Sequence, residues 1–201
     1  MKPVSTITST GVPLLIDNID TDAIIPSREM RSTGRTGLAD GLFAPWRYTN
    51  ADQRIADPAF ALNQPDAKGT RLLLGGANFG CGSSREHAVW ALAEFGIEAI
   101  IAPSFAPIFR NNCIRNGLLP IELPIDVVQQ LPWQNVAIDL AAQTVAANGQ
   151  AWAFAIDEEA KVMLLEGLDA IDLTLKHRDA IAAWTKADCA ARPWVYLEKR
   201  A

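Results

Sequence analysis

Cysteine is scarce in this 201-residue chain. Its three copies, Cys81, Cys113 and Cys189, are odd in number, far apart and free of any C-x-x-C spacing. That pattern suggests neither a disulfide framework nor a zinc site. Histidine is scarcer still, with only His87 and His177, so no metal ligand set is expected from this chain. Neither sign of charge dominates: 18 Lys and Arg stand against 23 Asp and Glu, a net charge of −5. With no basic run, the electrostatic footprint of a nucleic-acid partner is missing. No window approaches the roughly 20 apolar residues that cross a bilayer, and residues 1–6 lack the apolar core of a signal peptide. The expectation is a cytoplasmic protein that binds neither nucleic acid nor membrane. Repeats and low-complexity tracts are also missing. What is present is ordinary globular composition, 49% hydrophobic and 20% charged, at a length that suits a single domain, 1–201.

The informative stretch is 71–95, RLLLGGANFGCGSSREHAVWALAEF. Residues 71–74 read as a short buried strand. The glycine-rich segment 75–82 reads as a loop, and from Ser83 the apolar residues Ala88, Trp90, Ala91, Leu92 and Phe95 follow a helical period. Strand, glycine loop and helix deliver Ser83, Ser84, Arg85, Glu86 and His87 to a helix start, where unpaired N–H groups and the dipole favour an anion. Glycines at 75, 76, 80 and 82 would let backbone approach such an anion, and Arg85 can hold a carboxylate with two parallel hydrogen bonds. A second reading of Ser83-x-x-Glu86 is a capping box, in which the two residues merely satisfy each other's backbone donors.

The run Gly80-Cys81-Gly82-Ser83-Ser84-Arg85-Glu86-His87-Ala88 resembles the G-x-G-S-S-R-E-H-A signature of the swivelling domain in the aconitase superfamily. Asp20-Thr21-Asp22-Ala23-Ile24-Ile25-Pro26 is similar to the segment that opens isopropylmalate isomerase small subunits. Residues 104–112 with Gly117-Leu118-Leu119-Pro120 resemble the superfamily's S-F-A-x-I and G-L-L-P pair, and 41–48 and the ending at Tyr196 resemble the bacterial small subunits. One departure is Cys81, which stands where aconitases carry an acid.

In chain order, residues 12–16 suggest a strand ending in Asp17, Asp20 and Asp22, which either turn the backbone or bind a cation. Residues 27–50 form a long loop with short helical pieces and several arginines, of which Arg28, Arg31 and Arg35 could grip a second carboxylate. Residues 59–63 suggest a helical turn and 99–102 a buried strand. Ser104 can cap a helix over 105–116 that stops at Gly117. Cys113 reads as a small buried hydrophobe. Two strand–helix units in succession imply parallel pairing. A short helix over 126–131, a strand over 136–140 and a hairpin turning at Asn148-Gly149 follow. Asp157 should cap a helix within a C-terminal helical extension, 157–201, with a second helix over 175–185. The expected fold class is α/β: a mixed, partly parallel sheet with flanking helices.

What the resemblance implies goes further. It gives the chain the aconitase-like swivelling fold and makes it the small subunit of a hydro-lyase. The reaction would interconvert 2- and 3-isopropylmalate by dehydration and rehydration in leucine synthesis. It casts Ser83 as the base that removes the proton beside a carboxylate, Asp22 as a catalytic acidic residue, and Arg85, with Ser84, as substrate-binding. The arginine for the second carboxylate falls at Arg35, or else at Arg31. It also implies a [4Fe–4S] cluster that acts as Lewis acid and is held by a separate large subunit, so this chain would be active only in a heteromer. A homoaconitase or citramalate isomerase small subunit, or a non-catalytic anion-binding module, are the alternatives. A hydrolase is disfavoured, because no second histidine lies near Ser83 in the sequence.

Overall fold

The computed structural model describes residues 1–30 and 34–196. In chain order it contains β1 (Thr6–Leu14), α1 (Thr21–Ile24), α2 (Ala44–Arg47), β2 (Tyr48–Asn50), β3 (Ile55–Ala56) and β4 (Leu72–Gly75). These are followed by α3 (Glu86–Phe95), β5 (Ala99–Ala102), α4 (Pro107–Arg115), β6 (Leu119–Glu122), α5 (Ile125–Val128) and β7 (Asn135–Asp139). The hairpin β8 (Thr144–Ala147) and β9 (Gln150–Ala153) precedes α6 (Glu158–Glu166), α7 (Ala170–Leu175) and α8 (Arg178–Ala191).

Seven strands form one sheet in the order β6-β5-β4-β1-β7-β8-β9. Strand β1 is its joint. Residues Thr6 to Thr10 pair antiparallel with β7, and Gly11 to Leu14 pair parallel with β4. This strand is longer than the apolar run at 12–16 suggests, because its first half alternates polar and apolar residues and buries one face only. On the parallel side, β4, β5 and β6 are joined by α3 and α4; every residue of β4 and β5 is buried, which explains their unbroken apolar sequences, while the edge strand β6 ends in the exposed Glu122.

The pleat splits the core in two. Val12, Leu73, Ile100 and Ala102 point to the face packed by α3 and by Phe109 and Cys113 of α4. Ile7, Leu72, Leu74, Ala99 and Ile101 point to the opposite face, with α5, α6 and the β7–β9 meander. Asn148 and Gly149 both adopt positive φ, 52° and 76°, as a tight hairpin turn requires. Asp157 caps α6 by accepting from the N–H groups of Glu159 and Ala160.

Several boundaries differ from the sequence reading. The 105–116 helix is α4, two residues shorter at its start, and Ser104 does not cap it; its hydroxyl accepts instead from the Asn78 N–H at 2.8 Å. The expected helix at 175–185 is broken at Lys176 and His177 into α7 and α8, and no residue of α8 is buried. The small β2–β3 ribbon gave no pattern in the sequence because its strands are three and two residues long. Arg31, and residues 197–199 of the ending, lie outside the described residues.

Candidate active site

The parallel strands run in one direction, and their carboxyl ends deliver three loops to one place, as open α/β sheets generally do. Beyond β1 and β4 the loops remain stitched together. Gly80 N–H donates to Ile19 C=O at 2.7 Å and Thr21 N–H to Cys81 C=O at 2.9 Å. The loop after β5 joins them, with Phe79 N–H on Ser104 C=O and Ala106 N–H on Phe79 C=O, both at 3.0 Å. The segment 79–83 is thus held between the β1 loop and the start of α4.

Gly76 and Gly80 serve this packing, whereas a Cβ at Gly82 would meet nothing nearer than 3.4 Å. A Cβ at Gly76 would sit 2.4 Å from the Ile16 carbonyl, and one at Gly80 would enter the Phe109 ring at 2.1 Å. Gly80 also needs its φ of +78°. Gly75 and Gly76 do not line the cleft described below.

Helix α3 begins at Glu86, with Arg85 as its N-cap and no side-chain cap. The capping-box reading of Ser83 and Glu86 therefore fails. Glu86 accepts instead from the Asn116 side chain at 3.0 Å; the Ala88 N–H turns back to the Arg85 carbonyl at 3.3 Å, and among the described residues the N–H groups of Glu86 and His87 are left open. Among the described residues the Ser83 hydroxyl finds no hydrogen-bond partner. Its carbonyl is fixed twice, by the Arg85 N–H at 2.7 Å and by the Thr21 hydroxyl at 3.0 Å. Thr21 is 1% exposed.

Arg85 donates through Nη1 to Oδ1 of Asp22. The other two acids of that segment do backbone work: Asp17 accepts from Ala77 N–H and Asp20 caps α1 through Ala23 N–H. The turn-forming reading is right for those two, while Asp22, in the first turn of α1, is the one that reaches the arginine. The pair is partly open, with side chains 21% and 55% exposed, so it orients the guanidinium more than it stabilises the fold.

Ser83, Arg85, Thr21, Gly82, Ile108 and Asn112 are among the residues that line a cleft of about 220 Å³. Arg85 is its only charged side chain among the described residues, and Ala106, Pro107, Ile108 and Phe109 make an apolar wall. That wall is the first turn of α4, which also lacks a side-chain cap. Two uncapped helix starts therefore border one cleft, an arrangement that favours an anion. A larger cleft of about 430 Å³ lies between α4 and α6. It mixes Arg110 and Arg115 with Asp157 and Glu159, and its helix start is already capped by Asp157. Of the two, the smaller is the one lined by Ser83 and Arg85.

The remaining predicted residues are not gathered there. Ser84 is exposed beside the cleft. Arg35 lies over the Trp90 ring at 5.0 Å and is absent from the described lining; Arg31 lies outside the described residues. Arg28 pairs with Glu29 at 3.6 Å, and Met30 packs on the core. His87 packs tilted against Trp90 with centroids 4.7 Å apart, and His177 is exposed at the start of α8.

The residues here do not fit an iron–sulfur cluster. Cys113 is fully buried on α4, and burial pushes its thiol well above the usual range. Cys81 lies in the glycine loop and Cys189 on α8. Among the described residues no group of three or more His, Cys, Asp or Glu could hold a metal ion.

Sequence reasoning missed Thr21, the α4 wall and Glu94, whose carboxylate accepts from three backbone N–H groups of the arginine loop. The Thr-Asp step before α1 was a signal for Thr21; nothing local marks Glu94.

Comparison with known proteins shows the family. Residues 1–126 match the family model described as the aconitase C-terminal domain. A 3-isopropylmalate dehydratase small subunit from Cupriavidus necator is 52% identical over 98% of this chain and 100% of its own length. One from Chloroflexus aggregans is 48% identical over 93% of this chain and 95% of its own. Among solved structures, the 3-isopropylmalate dehydratase chain from Methanocaldococcus jannaschii superposes with a TM-score of 0.67 at 31% identity, covering 90% of this chain and 99% of that one. The chain belongs to the aconitase C-terminal domain family and, within it, to the 3-isopropylmalate dehydratase small subunits.

Proposed function

We infer that this chain is the small subunit of a hydro-lyase that interconverts 2- and 3-isopropylmalate by dehydration and rehydration, the step its relatives are named for, in leucine synthesis. The observation that carries the reading is the cleft: an unpartnered serine hydroxyl and one arginine sit between two open helix starts, facing an apolar wall. A dicarboxylate with a branched alkyl substituent suits that lining. One carboxylate meets Arg85, held at its correct angle by Asp22, and the alkyl group lies on Ala106 to Phe109.

Ser83 Oγ is the base. It takes the proton from the carbon beside the bound carboxylate while the C–O bond on the neighbouring carbon breaks and the hydroxyl leaves, a departure that would need the Lewis-acid chemistry of the partner's cluster, and it gives the proton back when water adds in the other orientation. A serine oxygen can do this only if its negative charge is stabilised, and the first N–H groups of α3 and the Arg85 guanidinium are preorganised for that purpose. Thr21, by holding the Ser83 carbonyl, fixes the turn from which the hydroxyl projects. Arg35, on the loop that borders α3, binds the second carboxylate; Arg31 is the other arginine of that loop suited to this role, and Ser84 assists at the rim. The [4Fe–4S] cluster is assigned to a large subunit, since Cys81, Cys113 and Cys189 do not gather. The working enzyme is then a cytoplasmic heteromer with no role for nucleic acid or membrane.

The test is co-expression with the large subunit of the same source, anaerobic reconstitution, and ultraviolet absorbance of the unsaturated intermediate formed from 3-isopropylmalate. Activity should need both chains and fall by about 10² to 10⁴ in Ser83→Ala, the range for loss of a general base. Full activity in Ser83→Ala overturns the assignment of the base. Turnover of homoaconitase or citramalate isomerase substrates, and not of isopropylmalate, replaces the substrate. Inactivity on all three with the partner bound makes the chain an anion-binding module.

A further inference from the structure

Helix α3 does more than present the Ser83–Arg85 turn at its start. One turn along, Trp90 offers its ring to the Arg35 guanidinium at 5.0 Å. Four residues further, on the same helix face, Glu94 accepts from the backbone N–H groups of Gly37 at 2.7 Å, Leu38 at 2.6 Å and Ala39 at 2.9 Å. Three charge-assisted bonds on one carboxylate are a strong hold for a surface residue, and they pull its carboxyl below the usual range despite some burial. Between the two contacts the chain turns at Gly37, whose φ is +83°.

The Trp90 platform is itself fixed. Its Nε1–H donates to Asn116 Oδ1 at 2.9 Å, and Asn116 Nδ2 donates in turn to Glu86 Oε1 at 3.0 Å. His87 packs at a tilt against the same ring. One rigid helix therefore carries the serine turn at its start and the stem of the arginine loop along its side. The distance between the proposed base and the proposed carboxylate-binding arginine is set by a single element.

Taking Arg35 as substrate-binding, as read above, we propose that Glu94 is a positioning residue for substrate: it clamps the 37–39 stem and so keeps Arg35 against α3. It touches no substrate atom and acts through the loop. Its loss is therefore felt in KM, through Arg35, and little in the proton transfer at Ser83.

The test compares Glu94→Gln, Glu94→Ala, Arg35→Ala and the Glu94→Gln/Arg35→Ala double variant in the reconstituted heteromer. Gln keeps the size of the side chain and one accepting oxygen, but sets an NH2 against the donors on the other oxygen, Gly37 alone or Leu38 and Ala39. Glu94→Gln should raise KM about tenfold, the effect of losing one charge-assisted bond's worth of fixation, with kcat within about threefold. The double variant should have the KM of Arg35→Ala alone, because the two residues act as one unit. Deuterium exchange at the 37–39 amides should accelerate in both Glu94 variants, most in Glu94→Ala, which loses all three acceptors, while Glu94→Gln lowers the melting temperature by no more than about 2–4 °C. An unchanged KM in Glu94→Gln, alongside a raised one in Arg35→Ala, overturns the proposal. So do multiplicative effects in the double variant, or a joint fall of kcat and melting temperature. An unchanged KM in Arg35→Ala removes the reading of Arg35 itself, and the role of Glu94 with it.

Discussion

Replacing Thr21 by Val tests whether the serine turn is held from the neighbouring loop. In the native chain the hydroxyl of Thr21, a residue 1% exposed, donates to the Ser83 carbonyl at 3.0 Å across 62 residues of sequence. Valine fills the space and removes the donor. The Ser83 carbonyl keeps its bond from Arg85 N–H, so the stability cost is that of one net hydrogen bond, about 1 kcal/mol. For a chain of this length that is a drop in Tm of about 2–4 °C. The catalytic cost is larger, because the hydroxyl of Ser83 hangs from the peptide that Thr21 fixes, and misplacing a reacting atom by an ångström costs up to about 10² in rate. Thr21→Ser is the control: it loses a methyl group and keeps the donor. Steady-state kinetics on the reconstituted enzyme, with thermal melts of both variants, should give a kcat for Thr21→Val at least about tenfold below Thr21→Ser at similar Tm, a gap of about 1.4 kcal/mol in the barrier. Equal kcat values in the two variants would refute the reasoning, since the hydroxyl would then matter no more than the methyl group.

Asp22→Asn should leave Tm within about 2 °C, since a half-exposed ion pair contributes about 1 kcal/mol or less, yet raise KM for isopropylmalate by letting the Arg85 guanidinium turn; an unchanged KM would argue that Arg85 is held by other contacts. Gly80→Ala drives a methyl group into the Phe109 ring at a φ of +78° and should cost about 2–5 kcal/mol by denaturant unfolding, the sum of overpacking and left-handed strain. Glu98 supplies the pH dependence. Burial opposes its charge, but the hydrogen bond and charge of Arg71, with Lys2, outweigh it and hold its carboxyl below the ordinary range. A depressed folded-state value means that this stabilisation is present above about pH 4.3, the unfolded glutamate value, and is lost as pH falls through the folded one. Unfolding midpoints of Glu98→Gln should thus lie below wild type at pH 7 and converge on it in acid; parallel profiles would show that the pair contributes nothing.

The sequence by itself determined what is local. Unbroken apolar runs at 72–74 and 99–102 specify strands buried on both faces, Asn148-Gly149 a tight hairpin, Asp157 a helix cap, and 80–88 the serine–arginine turn, because each depends on residues within a few positions of one another. It also left the 17–22 acids open between turn and site, since one aspartate looks like another until a partner arrives from elsewhere in the chain. Only the tertiary structure decided that Asp17 and Asp20 tie backbone while Asp22 meets Arg85, 63 residues away. It decided that Glu86 answers to Asn116 and not to Ser83, that the loop glycines make room for Phe109 and Ile16, and that Glu94 grips a loop 57 residues earlier. Backbone preference and hydrophobic period are written along the chain, but the partner of a polar side chain is chosen by the folded sheet, which brings the carboxyl ends of β1, β4 and β5 to one edge and leaves each donor to find the acceptor it then faces.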